Sequence, residues 1–168
     1  MAKTYTPIAT VSLTGYSGNN GNIFQFDNIP QTYTDLVVSI NAGTDLAAGY
    51  DLILKLNNDG GSNYSHTWLR GNGTNVASGR YSGTLFYIDY NGNTSMGLNR
   101  NYLVNIMNYS NTTTYKSLLW RANMPAGYVE THTGTWRNTA AVTSITIATN
   151  GGGISAGSTA TIYGIKAA

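Results

Sequence analysis

Side chains that could carry acid–base chemistry are few in this sequence. It has seven Asp and Glu residues together and two histidines, His66 and His132. Glu130 and His132 are two positions apart in "YVETHTGTW", so they share a face if this segment is a strand. Such a pair could act as a general base or supply two metal ligands. Two exposed polar residues on a strand give the same spacing, and we favour that interpretation.

No arrangement for nucleophilic catalysis is marked out either. Ser and Thr are so frequent that their closeness to a histidine carries no information, and no nucleophile-elbow pattern occurs. The segment "GNGTNVASG" lacks the lysine of a phosphate loop. A glycosidase needs paired carboxylates, and five of the seven acids are expected at strand edges or in turns: Asp27, Asp35, Asp45, Asp51 and Asp59. We therefore predict a protein that is not an enzyme and has no catalytic residue.

One loop is rich in oxygen ligands. The segment "NNDGGSNYS" (57–65) resembles a calcium loop in composition, but it offers one acid, Asp59. Calcium takes 6–8 oxygen ligands, several of them from carboxylates. A turn in which Asn and Gly adopt left-handed conformations explains the segment better. We predict neither a metal site nor a cofactor.

Aromatic residues are the remaining candidates for binding, since the chain has 3 Trp and 13 Tyr. Rings can stack on sugar faces while Asn or Asp side chains bond the hydroxyls. Tyr64, Trp68 and Trp136 are our candidates for glycan or subunit contact. Trp and Tyr are also common in strand cores and at protein interfaces, which is the competing interpretation.

The composition predicts the elements that would position these residues. Only 10% of residues are charged, while the chain has 20 Gly, 20 Asn and 23 Thr. Thr and Tyr favour strands, and Asn and Gly favour turns. The absence of Cys excludes disulfides and thiolate chemistry. The net charge of +2 comes from scattered Lys and Arg, so we predict no nucleic-acid partner.

Segments with strand character recur along the chain with turn signals between them. Alternation of apolar and polar residues is clearest in "DLVVSINA", "DLILKLN" and "TYKSLLWRANM". This pattern predicts an all-β fold, a single antiparallel β-sandwich of jelly-roll-like form that occupies residues 1–168 as one domain. The strands are expected at 8–13, 23–26, 35–42, 51–57, 66–71, 84–90, 101–110, 114–124, 128–136, 143–149 and 159–166. The expected core residues are Leu36, Val38, Ile40, Leu52, Leu54, Leu56, Ile145, Ile147 and Ile162.

Other elements are less clearly indicated. The one helix candidate, residues 46–56, is interrupted by Gly49. We interpret the glycine-rich 149–158 as a hairpin connection, and the last strand, "STATIYGIK", as one that completes a sheet. The first ten residues have no apolar region of a secretion signal, and no apolar run is long enough for a membrane helix. The sequence therefore predicts no membrane partner.

Four segments occur in an order that resembles a known family. They are "FDNIPQTYTDLVVSINA" (26–42), "LNNDGGSNYSHTWLRGNG" (56–73), "MNYSNTTTYKSLLW" (107–120) and "AGSTATIYGIK" (156–166). Together they resemble small β-sandwich proteins of tailed bacteriophages, cyanophages in particular. Those proteins are virion structural, capsid-decorating or fibre-like proteins. The resemblance covers roughly residues 23–166 and carries no catalytic residue.

The resemblance implies a structural role in a virion. The expected function is a capsid decoration or cement protein, made in the host cytoplasm, that binds by multivalent protein–protein contacts. Its expected partners are other copies of itself, as a homotrimer, and the major capsid protein. The alternative is a lectin-like, receptor-binding module of a tail or head fibre that binds host-surface carbohydrate. Sparse charge and many Tyr and Thr on strand faces agree with a surface that packs against other proteins.

Overall fold

A computed structural model of the chain describes residues 4–14, 22–44, 50–89, 100–123 and 127–166. These residues form twelve β-strands and no helix, and therefore no helix that could cross a membrane. The helix candidate lies outside the described residues at 46–49, and its remainder contains a strand. The strands are β1 (Tyr5–Ser12), β2 (Phe24–Phe26), β3 (Asp35–Ala42), β4 (Leu52–Leu56), β5 (Tyr64–Gly71), β6 (Val76–Gly83), β7 (Phe86–Tyr87), β8 (Arg100–Met107), β9 (Lys116–Asn123), β10 (Val129–Trp136), β11 (Ile145–Thr149) and β12 (Thr159–Ile165).

The strands form two antiparallel sheets that pack together, which confirms the predicted β-sandwich. The larger sheet has eight strands in the order β1-β12-β3-β8-β9-β10-β5-β6. The smaller has four in the order β2-β11-β4-β7. We call β1, β12, β3 and β8 the first half of the larger sheet, and β9, β10, β5 and β6 its second half. The two hairpins β9–β10 and β5–β6 build that second half.

Alternation along the strands decides which side chains enter the core. In β9 every second residue is buried, beginning with Lys116 and ending with Ala122. Successive side chains of a strand point to opposite faces, so the polar residues between them form the outer face. All nine predicted core residues are buried, so that prediction is confirmed. Met124, the last residue of the alternating segment "TYKSLLWRANM", lies outside the described residues.

Some connections differ from the prediction. The glycine-rich 149–158 is not a hairpin, because β11 belongs to the smaller sheet and β12 to the larger one. The segment crosses between the sheets, and Ile154 in it is buried and bridges to Thr44. The final strand does complete a sheet, but from inside: β12 pairs with β1 on one side and β3 on the other. The strand expected at 84–90 is shorter, since only Phe86–Tyr87 is a strand.

One strand was not predicted. β6 has the sequence "VASGRYSG", whose small and polar residues show no apolar alternation, and none of its residues is buried. It is a strand because it pairs with β5 over its full length, from Gly71 opposite Val76 to Tyr64 opposite Gly83. Backbone pairing with a neighbour, and not its own side chains, fixes this segment.

Candidate functional site

Glu130 and His132 share a face of β10 as predicted, but that face is the inner one. Each is only 1% exposed, and Glu130 Oε2 lies 3.0 Å from His132 Nε2. Our interpretation as exposed polar residues is therefore wrong. The alternating Thr131 and Thr133 occupy the exposed positions instead. An acid–base pair without exposed surface cannot meet a substrate in this conformation, so its contacts are internal.

His66 joins this pair from the neighbouring strand β5. Its ring centre lies 5.7 Å from that of His132, and Trp120 stacks on His132 at 4.8 Å with 15° between the planes. Burial, with a smaller contribution from the nearby His132, lowers the pKa of His66 to about 4. The imidazole is therefore neutral near pH 7, and neither ring nitrogen has a hydrogen-bond partner among the residues that the structure describes. It packs as an aromatic ring between Tyr81, Phe86 and Trp120.

Arg70 closes one end of this cluster. Its Nη1 lies 3.8 Å from Glu130 Oε1, and the two residues are directly opposite on β5 and β10. The guanidinium also lies over the rings of Trp68 and Tyr128, at 4.9 and 4.8 Å from the ring centres. A buried carboxylate is tolerated when a cation and hydrogen bonds compensate for its lost hydration. Glu130, His132, His66 and Arg70 form the inner polar cluster.

A second buried cluster joins the two sheets around Asp89. Its carboxylate accepts hydrogen bonds from Leu52 N–H at 2.7 Å and Tyr102 Oη at 2.7 Å, and from Arg100 Nη1 at 3.2 Å. Burial raises the pKa of Asp89 to about 6 in spite of these three donors, each of which favours the charged form. Leu52 belongs to the smaller sheet, while Arg100 and Tyr102 belong to the larger one. This carboxylate therefore holds the sheets together.

Asp59 stabilises a turn in the oxygen-rich loop. Burial alone would raise its pKa, but donors including Asn63 Nδ2, Gly61 N–H and Trp136 Nε1 lower it overall. Asn57 and Asn58 have φ of 52° and 51°, which confirms left-handed Asn in this turn. Donors around the carboxylate oppose a cation there. Within the described ranges, no three His, Asp or Glu residues are close enough to hold a metal ion.

The three aromatic candidates are core residues. Tyr64 and Trp136 are 0% exposed and Trp68 is 7% exposed. Tyr64 Oη bonds to the backbone of Leu56, and burial raises its pKa to about 12. A ring that stacks on a sugar or another subunit needs an exposed face. The surface role predicted for these three rings is not compatible with their burial, which strand alternation sets by directing even-numbered residues of β5 and β10 inward.

The outer face of the eight-stranded sheet is exposed. Polar side chains such as Ser39, Asn101 and Thr133 alternate on it with aliphatic ones. Four aliphatic residues of the second half are well exposed: Leu69 at 54%, Val76 at 85%, Leu119 at 47% and Val129 at 64%. With Arg121 they form what we call the outer patch.

Arg121 lies on β9, at the side of the outer patch that borders β8. It is opposite Leu103 on β8 and Thr131 on β10, and it makes no ion pair with any residue that the structure describes. Two shallow grooves of about 410 and 390 Å³ meet at Arg121 and Val129. One groove extends over β8 towards Ser39, and the other over β5 towards Val76. The arrangement can bind a surface that is largely apolar and carries hydrogen-bonding or acidic groups.

Sequence reasoning missed the Asp89 cluster, the outer patch and a buried cation. Lys116 is 0% exposed, donates to the carbonyl oxygens of Thr114 and Thr139, and has its pKa lowered by burial. Strict alternation in "KSLLWRA" could have placed Lys116 on the inner face, together with Trp120, and Arg121 on the outer face. No local signal could have joined Asp89 to Arg100 and Tyr102, because Asp89 follows β7 of the smaller sheet and the other two lie on β8 of the larger one.

No protein-family model, curated protein or solved structure matches this chain.

Proposed function

We propose that this chain is a structural protein of a tailed-phage virion, in particular a capsid decoration or cement protein. The virion part of this proposal comes from the sequence resemblance, and the binding mode comes from the outer patch. That patch, an exposed group of aliphatic side chains beside an arginine that makes no ion pair within the described part of the chain, is the observation that carries the proposal. Interfaces are commonly built on apolar residues and Arg at the centre with polar residues at the rim.

The size of the outer face supports a protein partner. Eight strands spaced about 4.8 Å apart, each about eight residues long, give a face of roughly 900 Å². A stable protein interface takes about 800 Å² from each partner. The well-exposed apolar residues of the outer patch are aliphatic, whereas sugar binding by stacking would call for rings. The well-exposed ring Tyr5 lies on β1, at the opposite edge of this sheet. This favours a protein partner, such as the major capsid protein or another copy, over the host-surface carbohydrate of a lectin-like module.

The connectivity supports a jelly roll within the sandwich. Once the hairpins β5–β6 and β9–β10 are set aside, successive strands alternate between the two sheets from β1 to β12, except that β4 and β7 are neighbours in the smaller sheet. We infer a jelly roll of eight strands, to which the two hairpins add one side of the larger sheet. Jelly rolls are frequent in viral capsid domains. The hairpins then supply all five residues of the outer patch.

A particle-binding experiment tests the proposal. Virions of the encoding phage, stripped of this protein, are incubated with purified wild-type chain, Leu119→Lys or Ile53→Lys. Leu119 lies on the outer patch, and Ile53 lies on the smaller sheet, so both variants place a lysine on a strand surface. We expect wild type and Ile53→Lys to bind in many copies and Leu119→Lys to lose binding. Equal binding by Leu119→Lys, or binding to host glycan instead of the shell, would overturn the proposal.

A further inference from the structure

The two sheets have four edge strands, and three of them carry features that prevent pairing with another chain. β2 and β7, the edges of the smaller sheet, have three and two residues. β1, one edge of the larger sheet, contains Pro7 and a register shift between Pro7 and Ala9. Short strands, prolines and bulges are the ordinary protections of sheet edges. These three edges are poor templates for a further strand.

β6, the fourth edge, has none of these features. It is eight residues long, contains no proline, keeps one register with β5 throughout and carries one charge, Arg80. No described strand pairs with its other side. Long, unprotected edges of this kind pair readily with another strand. Because the other three edges are protected, the open one is a feature specific to β6.

The hairpin geometry shows which backbone groups of β6 are available. Asn72 N–H donates to Asn75 O at 3.2 Å, so these residues form a hydrogen-bonded pair. Hydrogen-bonded and non-hydrogen-bonded pairs alternate in an antiparallel ladder, which makes Leu69 and Ser78 a non-hydrogen-bonded pair. The N–H and C=O groups of Ser78 therefore point away from β5. The same holds for every second residue of the strand: Val76, Ser78, Arg80 and Ser82.

We propose that β6 is a self-association edge, at which β6 of a second copy pairs antiparallel about a two-fold axis at Gly79. This register uses all four residues whose N–H and C=O groups point away from β5. It places Ser78 opposite Arg80 of the second copy and Val76 opposite its Ser82. It places no like charges directly opposite one another, which a sheet pair requires. We name a second copy as the occupant because its β6 meets both requirements for pairing: it offers complementary backbone groups, and its one charge does not face a like charge. The two larger sheets then form one continuous sheet.

This inference develops the self-association part of the proposed function and fixes its symmetry. A two-fold contact alone gives a dimer. Together with the predicted trimer it gives a hexamer with three two-fold axes. Both assemblies have an even number of copies, whereas a trimer without this contact does not. The experiment is carried out in solution without particles, so its result is independent of whether the chain binds a capsid.

Charge changes at Ser78 test the register directly. Ser78 is exposed on β6, so Lys or Glu there is compatible with the fold of one copy. Ser78→Lys places a cation opposite Arg80 of the second copy, and Ser78→Glu places an anion there. Because the two-fold axis forms this contact twice, we expect the dissociation constant to rise about tenfold for Ser78→Lys and to fall about tenfold for Ser78→Glu. Sedimentation equilibrium measures both, and thermal unfolding verifies that each variant is folded.

A cysteine pair provides a second measurement, since the chain has no Cys of its own. Ser78→Cys and Arg80→Cys would lie opposite each other at about 5.5 Å between Cα atoms, within disulfide range. A mixture of the two variants should form disulfide-linked dimers faster than either variant alone. An even-numbered wild-type assembly with opposite effects of Ser78→Lys and Ser78→Glu supports the proposal. A monomer or trimer at all accessible concentrations, or an even-numbered assembly indifferent to both substitutions, overturns it.

Discussion

Beneath its first half the eight-stranded sheet buries mainly aliphatic side chains, apart from Arg100 and Tyr102 of β8, whereas beneath its second half it buries mainly rings and ionisable groups. Leu36, Val38 and Ile162 represent the first half. Glu130 and His132, stacked with Trp120, represent the second. Aliphatic side chains pack in any direction, but rings and charges need particular partners. The comparison indicates that the second half depends on a specific arrangement of partners to a greater degree than the first half does.

The largest expected effect comes from removing β12 from the first half. Deleting residues 158–168 takes away the strand between β1 and β3, together with the fully buried Ile162 and Ala160. The sheet would lose two ladders of backbone hydrogen bonds, while a domain is stable by only about 5–15 kcal/mol. We expect insoluble protein, or soluble protein without a cooperative transition in circular dichroism. A cooperatively folded truncated chain would show that the first half does not depend on β12.

Truncation of one aliphatic core residue should have the next largest effect. Leu54 of β4 is 1% exposed in the core between the sheets. Leu54→Ala should lower the free energy of unfolding by about 2–5 kcal/mol, because it leaves a cavity that the neighbours only partly fill. Urea denaturation measures this at two pH values, and the loss should be the same at both. A loss that changes with pH would mean that the aliphatic core is coupled to titratable groups.

The second half should respond to pH through His66. Its folded pKa of about 4 lies below the ordinary value of 6.5, so the unfolded chain binds the proton more tightly. The stability that His66 contributes is complete above pH 6.5 and is lost as the pH falls through 4, by about 3 kcal/mol in total. His66→Phe should flatten the dependence of unfolding free energy on pH in this window. An unchanged profile would mean that His66 is accessible to protons in the folded state.

Asp89 should act in the opposite direction. Its folded pKa of about 6 lies above the ordinary 3.8, so its contribution is complete below pH 3.8 and is lost as the pH rises through 6. Asp89 therefore offsets part of the acid sensitivity that His66 causes. Asp89→Asn should make the loss of stability between pH 6 and 4 steeper than in wild type, measured by urea denaturation at closely spaced pH values. A shallower loss would contradict the raised pKa.

The close packing of rings in the second half predicts a smaller effect at Gly134. A Cβ there would lie 2.8 Å from a ring atom of Trp120 and 2.9 Å from one of Phe86. Gly134→Ala should cost about 1–3 kcal/mol, because both rings must shift in a dense core. Gly60→Ala is the control, since a Cβ at Gly60 meets nothing within 4 Å. Thermal unfolding of the two variants should separate them clearly, and equal stability would indicate a loosely packed second half.

The two halves also differ in how far the sequence predicts them. Alternation of aliphatic and polar residues predicted β3 within its observed bounds and the buried Leu52, Leu54 and Leu56 of β4. In the second half the same alternation was present in β10, but Glu130 and His132 were assigned to the surface because polar residues are usually exposed. Their burial depends on Arg70 and Trp120, which belong to other strands. β6 was missed because pairing with β5, and not its own side chains, makes it a strand.

Two adjacent residues of β10 provide the most direct test of the account. Val129 points outward into the outer patch, and Glu130 points inward to His132. We expect Val129→Lys to lose particle binding at unchanged thermal stability. Glu130→Gln should bind particles normally but melt about 2–8 °C lower. Binding lost in Glu130→Gln and kept in Val129→Lys, or glycan cleavage by wild type that Glu130→Gln abolishes, would contradict a structural protein that binds through its outer face.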